Sequence, residues 1–136
     1  MTKVSTSTNL PVTAEKVWEL IGGFNALPDW HPAVEKSELE DGGQQRRLSL
    51  MGGGTIVERL EPAGDGQYTY SYSIVDSPLP VANYVASIKV IDDGDGCRID
   101  WSSEFEAAGA PENEAMDAIA GIYQAGFDNL KKIFGG

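Results

Sequence analysis

Hydrophobic positions recur with a helical period near both ends of the chain and with a period of two between them. Near the amino end, apolar side chains at helical spacing over positions 14–21 predict a short helix capped by Thr13. A Ser/Thr-rich strand, Lys3 to Leu10, precedes this helix. One further helical turn, Phe24 to Leu27, is expected to end before Pro28. Two short helices are therefore expected after the first strand.

The middle of the chain alternates apolar and polar residues, as antiparallel strands with one buried face do. In the clearest strand, Gln67 to Val75, the side chains of Tyr68, Tyr70, Tyr72 and Ile74 share one face. Five other segments have the same character. They are Val34–Glu40, Arg46–Met51, Thr55–Leu60, Tyr84–Ile91 and Arg98–Glu106. Seven strands are thus expected in all.

A helical period returns in the last segment, Glu112 to Phe134. Its predicted buried stripe consists of Met116, Ile119, Ala120, Tyr123, Phe127, Leu130, Ile133 and Phe134. Gly121 and Gly126 each weaken a helix by roughly 1 kcal/mol relative to alanine. Three explanations for these two glycines are open: they leave room for a bound molecule, they allow the sheet to approach the helix closely, or they serve ordinary packing. The element order predicts one α+β domain over residues 1–136, with the helices on one side of an antiparallel sheet.

The composition of the chain limits the kinds of molecule and surface that the protein is expected to bind. The chain of 136 residues suits one domain, and its net charge of −11 opposes binding to nucleic acid or to anionic lipid surfaces. The single cysteine, Cys97, excludes an internal disulfide, so a reducing cytoplasm is the expected location. No apolar run is long enough to predict a membrane span.

Aromatic side chains are concentrated on the predicted inner faces. A curved sheet that carries tyrosines and a tryptophan and is closed by one helix encloses an apolar cavity, which favours binding of a small hydrophobic molecule. Some of these side chains are expected to serve only as core. The candidate ligand-binding aromatics are Trp30, Tyr70, Tyr72, Tyr84, Trp101, Tyr123 and Phe127, and Tyr68 is a further wall candidate.

Arg46 and Glu58 form a candidate polar site. Gly52-Gly53-Gly54 reads as a hairpin turn, and each of the two charged residues shares its strand face with apolar neighbours. In the cavity, Arg46 would bind a ligand carboxylate or carbonyl, and Glu58 would act as a general base if burial raised its pKa. Alternatively, the two form a structural ion pair at the wet edge of the sheet.

His31 is the only histidine and lies between Trp30 and Pro32. It is a candidate proton-transfer group at the opening of the cavity, since its unperturbed pKa lies near neutrality. The other interpretation is a hydrogen-bonded histidine that fixes its loop. One histidine without a nearby cysteine does not make a zinc site, so we expect no metal and no cofactor.

Several short runs, placed in this order of elements, resemble the START-like helix-grip (SRPBCC) superfamily, and within it the polyketide cyclase/dehydrase and lipid transport branch. The resemblance covers Val4 to Phe134. The runs are Val17-Trp18, Asp29-Trp30-His31-Pro32, Val57-Glu58-Arg59-Leu60 and Ser77-Pro78-Leu79-Pro80-Val81 followed by Tyr84. The resemblance implies a seven-stranded antiparallel sheet wrapped around a long C-terminal helix, with a deep apolar cavity between them.

Members of this superfamily bind sterols, lipids, polyketides, plant hormones or aromatic intermediates, and some cyclise or dehydrate polyketide chains. Three functions follow as hypotheses. The first is a carrier of a small hydrophobic or aromatic molecule, and the second is a cyclase, aromatase or dehydratase in which Glu58 or His31 moves protons. The third is an interaction module whose loops Asp29–Pro32 and Ser77–Val81 respond to a ligand. Nothing in the sequence indicates a protein partner or a homodimer.

Overall fold

The structure is a computed structural model that describes residues 2–62 and 68–135. Seven strands and three α-helices follow the predicted α+β order, with two short helices between the first two strands. The elements are β1 (Thr2–Leu10), α1 (Ala14–Ile21), α2 (Leu27–Trp30), β2 (Val34–Glu40), a 3-10 turn (Asp41–Gly43), β3 (Gln45–Leu50), β4 (Thr55–Glu61), β5 (Thr69–Asp76), β6 (Val81–Asp93), β7 (Gly96–Ala107) and α3 (Glu112–Phe134). The predicted fold class is therefore confirmed.

All seven strands form one antiparallel sheet in the order β1-β7-β6-β5-β4-β3-β2. Consecutive strands are neighbours from β2 to β7, and β1 pairs with β7 from Thr2 opposite Phe105 to Leu10 opposite Cys97. The helix α3 lies mainly against β1 and β7, whereas α1 packs on β6 and β7. In the described residues, the backbone of α3 therefore approaches β1 and β7 more closely than it approaches β2 to β5.

The first helix begins as its sequence predicts. The Thr13 hydroxyl accepts a hydrogen bond from the Lys16 backbone N–H at 3.3 Å, which satisfies one of the free donors of the first turn. Ala14, Val17 and Ile21 are completely buried. A side chain at Gly22 would overlap the indole of Trp18, so glycine is required where the helix ends.

The second helix corrects the sequence prediction. It spans Leu27–Trp30 rather than Phe24 to Leu27, and Pro28 lies inside its first turn. Proline has no N–H, but the first turn of a helix leaves its N–H groups unpaired, so Pro28 starts this helix instead of ending the one before it. The Asp29–Pro32 segment is accordingly part helix and not a free loop.

The bounds of α3 agree with the prediction, but its buried face is rotated. Met116 is 36% exposed and Ile133 is 47% exposed, although both were placed on the stripe. The residues actually buried are Ala115, Ile119, Tyr123, Gly126, Phe127 and Leu130. A Cβ at Gly126 would lie 2.9 Å from both His31 and Trp30, so this glycine permits close packing, whereas a Cβ at Gly121 would meet nothing within 4 Å.

The strand ends differ from the sequence prediction by up to three residues, and the starts of β5 and β6 are the clearest cases. β5 begins at Thr69, after Tyr68, whose φ of 57° is incompatible with an extended strand. The predicted first residue of this strand, Gln67, lies outside the described residues. β6 begins at Val81 rather than Tyr84, and it accommodates an irregularity between Ala82 and Val85.

Candidate functional site

A cavity of about 260 Å³ lies between the inward face of the sheet and α3. Most of its wall is aliphatic, from Leu27, Val34, Leu48, Leu50, Ile56, Ile74, Leu79, Ile119 and Ile122. Its polar side chains are His31, Arg46, Glu58, Tyr72, Tyr84, Trp101 and Tyr123. An apolar space with a few converging polar groups is the usual form of a small-molecule site.

The exposure of the lining residues distinguishes the open side of the cavity from its closed side. Met51 is 60% exposed and Gly53 is exposed, and both belong to the turn between β3 and β4. Leu79 of the 77–81 loop and Ile122 of α3 are half-buried and also line the cavity. The opening therefore lies among this turn, this loop and α3, while the charged pair and the aromatic groups are at the buried end.

Arg46 and Glu58 are directly opposite each other in the β3–β4 pairing, and both face inward. Arg46 is 1% exposed and Glu58 is 6% exposed, so the wet-edge interpretation is wrong. The Glu58 Oε1 atom lies 2.8 Å from Arg46 Nε and 2.7 Å from Arg46 Nη2. Arg46 Nη1 donates a hydrogen bond of 2.6 Å to the Phe24 carbonyl oxygen.

Aromatic rings surround the guanidinium of Arg46. Its central carbon lies 4.4 Å from the ring centroid of Phe24, 5.1 Å from that of Tyr72 and 5.8 Å from that of Tyr70. These distances are within the range of cation–π attraction. The rings and the Phe24 carbonyl hold the arginine in one orientation, so it presents a fixed charge to Glu58.

Burial raises the pKa of Glu58, although the positive charge of Arg46 and its hydrogen bond act in the opposite direction. Desolvation disfavours the charged carboxylate more than it would at the surface, and a single paired cation offsets part of that cost. The net direction is upward, so the carboxyl group of Glu58 holds a proton more readily than an exposed glutamate does.

Tyrosine hydroxyls at the buried end form hydrogen bonds among themselves and with Trp101. The Trp101 indole N–H donates to the Tyr72 hydroxyl at 2.9 Å, and the hydroxyls of Tyr84 and Tyr123 are hydrogen-bonded to each other. Trp101 also stacks on Tyr123, with ring centroids 4.3 Å apart. Burial raises the pKa of Tyr72 and Tyr84 well above 10 and that of Tyr123 to about 12, so all three hydroxyls are neutral near neutral pH.

His31 lines the cavity, but backbone groups occupy both of its ring nitrogens. Nε2 lies 2.7 Å from the Ile122 carbonyl oxygen, and Nδ1 accepts a hydrogen bond of 3.1 Å from the Ala33 N–H. A carbonyl only accepts and an N–H only donates, so the ring is the neutral Nε2–H tautomer. Burial lowers the pKa of His31. This geometry ties the α2–β2 segment to α3 and leaves no free nitrogen for proton transfer.

Three of the sequence-predicted ligand-binding residues lie behind the cavity wall, so that expectation is corrected for them. Trp30 packs on Trp101 with ring centroids 5.5 Å apart, and Phe127 lies 6.0 Å from the same indole. Tyr70 packs on Phe24 and flanks the guanidinium of Arg46. They face inward as predicted, but their rings are a packed layer that supports the lining. Tyr68 packs on Trp18 and is likewise not among the lining residues.

Sequence reasoning did not single out the aliphatic part of the lining. Leu48 and Leu50 share the inward face of β3 with Arg46, and Ile56 precedes Glu58 by two residues on β4. The period-two pattern placed these three side chains on the inward face with the charged pair, but they were not predicted as ligand-binding residues. Ile122 had no such signal, because it lies beside the predicted stripe of α3.

In residues 2–62 and 68–135, no three His, Cys, Asp or Glu side chains are arranged so that they could hold a metal ion. Within the same ranges, no helix is both long and apolar enough to span a bilayer.

The model of the family described as "Polyketide cyclase / dehydrase and lipid transport" matches residues 1–135. The chain therefore belongs to this family. No curated protein matches the chain.

Solved structures agree with this assignment. The chain is similar to the protein XoxI from Bacillus cereus, with 39% identity, coverage of 98% of this chain and 96% of that chain, and a TM-score of 0.94. A START superfamily protein from Mycobacterium smegmatis has 13% identity, coverage of 97% and 96%, and a TM-score of 0.79. The Zhui aromatase/cyclase from a Streptomyces species has 16% identity, coverage of 97% and 95%, and a TM-score of 0.71. The latter two show the fold alone, and the predicted helix-grip fold of START-like proteins is confirmed.

Proposed function

We propose that this protein binds a small hydrophobic or aromatic molecule in the cavity between its sheet and α3. The observation that carries the proposal is an apolar space of about 260 Å³ whose buried end holds a charged pair and three tyrosine hydroxyls. Protein interiors are close-packed and contain few voids larger than a water molecule. Membership of a family whose description includes lipid transport supports the same function.

The volume limits the size of the molecule. An apolar cavity of roughly 150 Å³ accommodates benzene, so 260 Å³ corresponds to about ten non-hydrogen atoms. A fused two-ring aromatic compound has this size, whereas a long-chain fatty acid is too large. The cavity therefore favours compact ligands over extended lipids.

Native mass spectrometry of freshly purified protein, followed by denaturing extraction, tests the proposal directly. We expect a stoichiometric apolar compound, or, if the protein is purified empty, one-to-one binding of added naphthalene. Replacing Ile119, a buried lining residue, by phenylalanine should abolish this binding because the new ring occupies the cavity. Ile133→Phe is the matched control on the exposed side of the same helix and should bind normally. An empty protein that also fails to bind naphthalene contradicts the proposal.

Glu58 favours a second candidate function, turnover of the bound molecule. Its carboxyl group lies in the cavity wall, and burial raises its pKa. A cyclase-type or dehydratase-type enzyme would fold a flexible substrate in this space while Glu58 moves a proton. His31 is not part of this mechanism, because its two nitrogens are bonded to backbone groups.

A substitution at Glu58 separates the two candidates. Once a compound is identified, Glu58→Gln should retain binding but lose turnover if the protein is an enzyme, and turnover should be undetectable in both forms if it is a carrier. Glu61→Gln, in the same strand but outside the lining, is the control. Turnover that survives Glu58→Gln contradicts the proposed role of Glu58.

A further inference from the structure

The charge of Arg46 is not available to a ligand. Its Nε and Nη2 atoms both contact Glu58 Oε1, and its Nη1 atom donates to the Phe24 carbonyl. The Glu58 carboxylate balances the positive charge within the cavity wall. A ligand carboxylate at this end would therefore meet an arginine that is already paired and a glutamate of its own sign.

The second oxygen of Glu58 is different. In the described ranges 2–62 and 68–135, no group donates a hydrogen bond to Oε2. The fully buried side-chain polar atoms without a partner in those ranges are Trp30 Nε1 and Ser103 Oγ, so Oε2 retains accessible surface. Glu58 faces inward and lines the cavity, which means that this surface faces the interior of the cavity.

The surroundings of this oxygen are aromatic. Tyr72, Tyr84, Trp101 and Tyr123 all line the cavity with it, and their polar atoms are largely bonded to one another. Flat rings pack well on such walls through offset-stacked or edge-to-face contacts. An unpaired acceptor among aromatic faces suits a ring that carries one hydrogen-bond donor.

We infer that the ligand is a compact, uncharged aromatic compound with a hydroxyl group, and that this hydroxyl donates a hydrogen bond to Glu58 Oε2. The inference rests on the proposed function and specifies the class of ligand. It replaces the sequence-based expectation that Arg46 binds a ligand carboxylate. Arg46 instead positions Glu58, so that one carboxylate oxygen is occupied and the other faces the ligand.

Three probes of similar size test this inference. Naphthalene, 2-naphthol and 2-naphthoate are titrated into the protein near neutral pH, and their dissociation constants are measured by calorimetry. We expect 2-naphthol to bind roughly tenfold or more tightly than naphthalene, because a hydrogen bond to a charged group is gained. The anion 2-naphthoate should bind more weakly than naphthalene.

A double variant identifies the acceptor. Arg46→Met/Glu58→Leu removes the pair without leaving a buried charge alone. The ratio between its dissociation constants for naphthalene and 2-naphthol should fall to about one, because the acceptor of the hydroxyl is gone. Circular dichroism checks its fold, and if it is unfolded, the probe series on the natural protein still decides.

The outcomes separate this inference from the proposed function. Equal affinities for naphthalene and 2-naphthol, or tightest binding of 2-naphthoate, overturn the inference and leave the proposed function intact. A preference for 2-naphthol that persists in a folded double variant also overturns it, since another group is then the acceptor. If none of the three probes binds, the proposed function fails as well.

Discussion

Arg46 and Glu58 face each other across β3 and β4, and both Arg46 Nε and Arg46 Nη2 lie within 2.8 Å of one carboxylate oxygen. Both side chains are nearly inaccessible, so each charge depends on the other for compensation. The next residue along the strand, Arg47, offers a comparison. It faces outward and forms an exposed ion pair with Glu40.

Replacing each arginine by methionine should therefore have unequal effects. Arg46→Met leaves Glu58 buried without a partner and should lower the free energy of unfolding by about 3–5 kcal/mol. Arg47→Met removes an exposed ion pair and should cost about 0–1 kcal/mol. Urea denaturation of the two variants measures both values. Similar losses for the two variants would mean that Arg46→Met does not leave an uncompensated buried charge on Glu58.

The two glycines of α3 should respond in opposite directions to alanine. At Gly126, a Cβ would lie 2.9 Å from atoms of His31 and Trp30 and 3.2 Å from Trp101, so Gly126→Ala should cost roughly 1–3 kcal/mol through overpacking. At Gly121 a Cβ has open space, so Gly121→Ala should stabilise the protein by up to about 1 kcal/mol. Thermal unfolding followed by circular dichroism compares them. Stabilisation by Gly126→Ala would contradict the close approach of α3 to α2 and β7.

The tautomer of His31 is directly measurable, because the chain has one histidine. We expect long-range nitrogen–proton NMR spectra to show the Nε2–H tautomer. The titration midpoint should lie below 6.5, because burial disfavours the charged ring. A proton on Nδ1 would in addition oppose the Ala33 N–H. A midpoint at or above 6.5 would exclude this geometry.

The same lowered pKa affects stability. In the unfolded chain the imidazole takes up a proton near pH 6.5, before the folded protein does. The contribution of His31 to the free energy of unfolding is therefore fully present above pH 6.5. It falls below that pH by at most about 1.4 kcal/mol per unit until the folded-state pKa is reached. The free energy of unfolding is measured against pH for the natural protein and for His31→Gln, and the difference between the two curves isolates the effect of His31. The raised pKa of Glu58 changes stability with pH in the opposite direction, and it contributes equally to both curves. Identical profiles for the two proteins would contradict the prediction.

The Tyr72 hydroxyl should be required as the hydrogen-bond acceptor of the Trp101 indole N–H. Tyr72→Phe removes the acceptor of the buried indole N–H and should cost about 1–3 kcal/mol. Tyr68→Phe is the matched control, because Tyr68 is only partly buried and lies on the same segment. Urea denaturation compares the two, and equal stabilities would show that water or another group replaces the Tyr72 hydroxyl.

The sequence predicted the architecture well because the alternation and the helical spacing of apolar residues indicate directly which side chains face inward. Arg46 and Glu58 could be paired for that reason, since a glycine turn fixed their register. Depth within the fold is not part of such a pattern, so Trp30 and Phe127 could not be distinguished from Trp101 and Tyr123. The partners of His31 are backbone groups, and one of them is 91 residues away in α3, so no local signal could identify them.

The bond between His31 and the Ile122 carbonyl also has a kinetic consequence. It fastens the α3 side of the opening to the α2–β2 segment, and Gly126 packs against that segment. The opposite side is the Gly52-Gly53-Gly54 turn, whose three residues all have positive φ and carry no side chain that could pack. One border of the opening is thus held by a side-chain hydrogen bond, whereas the glycine border has no side chains of its own to hold it. The rate at which a bound molecule leaves should accordingly depend on the glycine turn, while the affinity depends on the buried end.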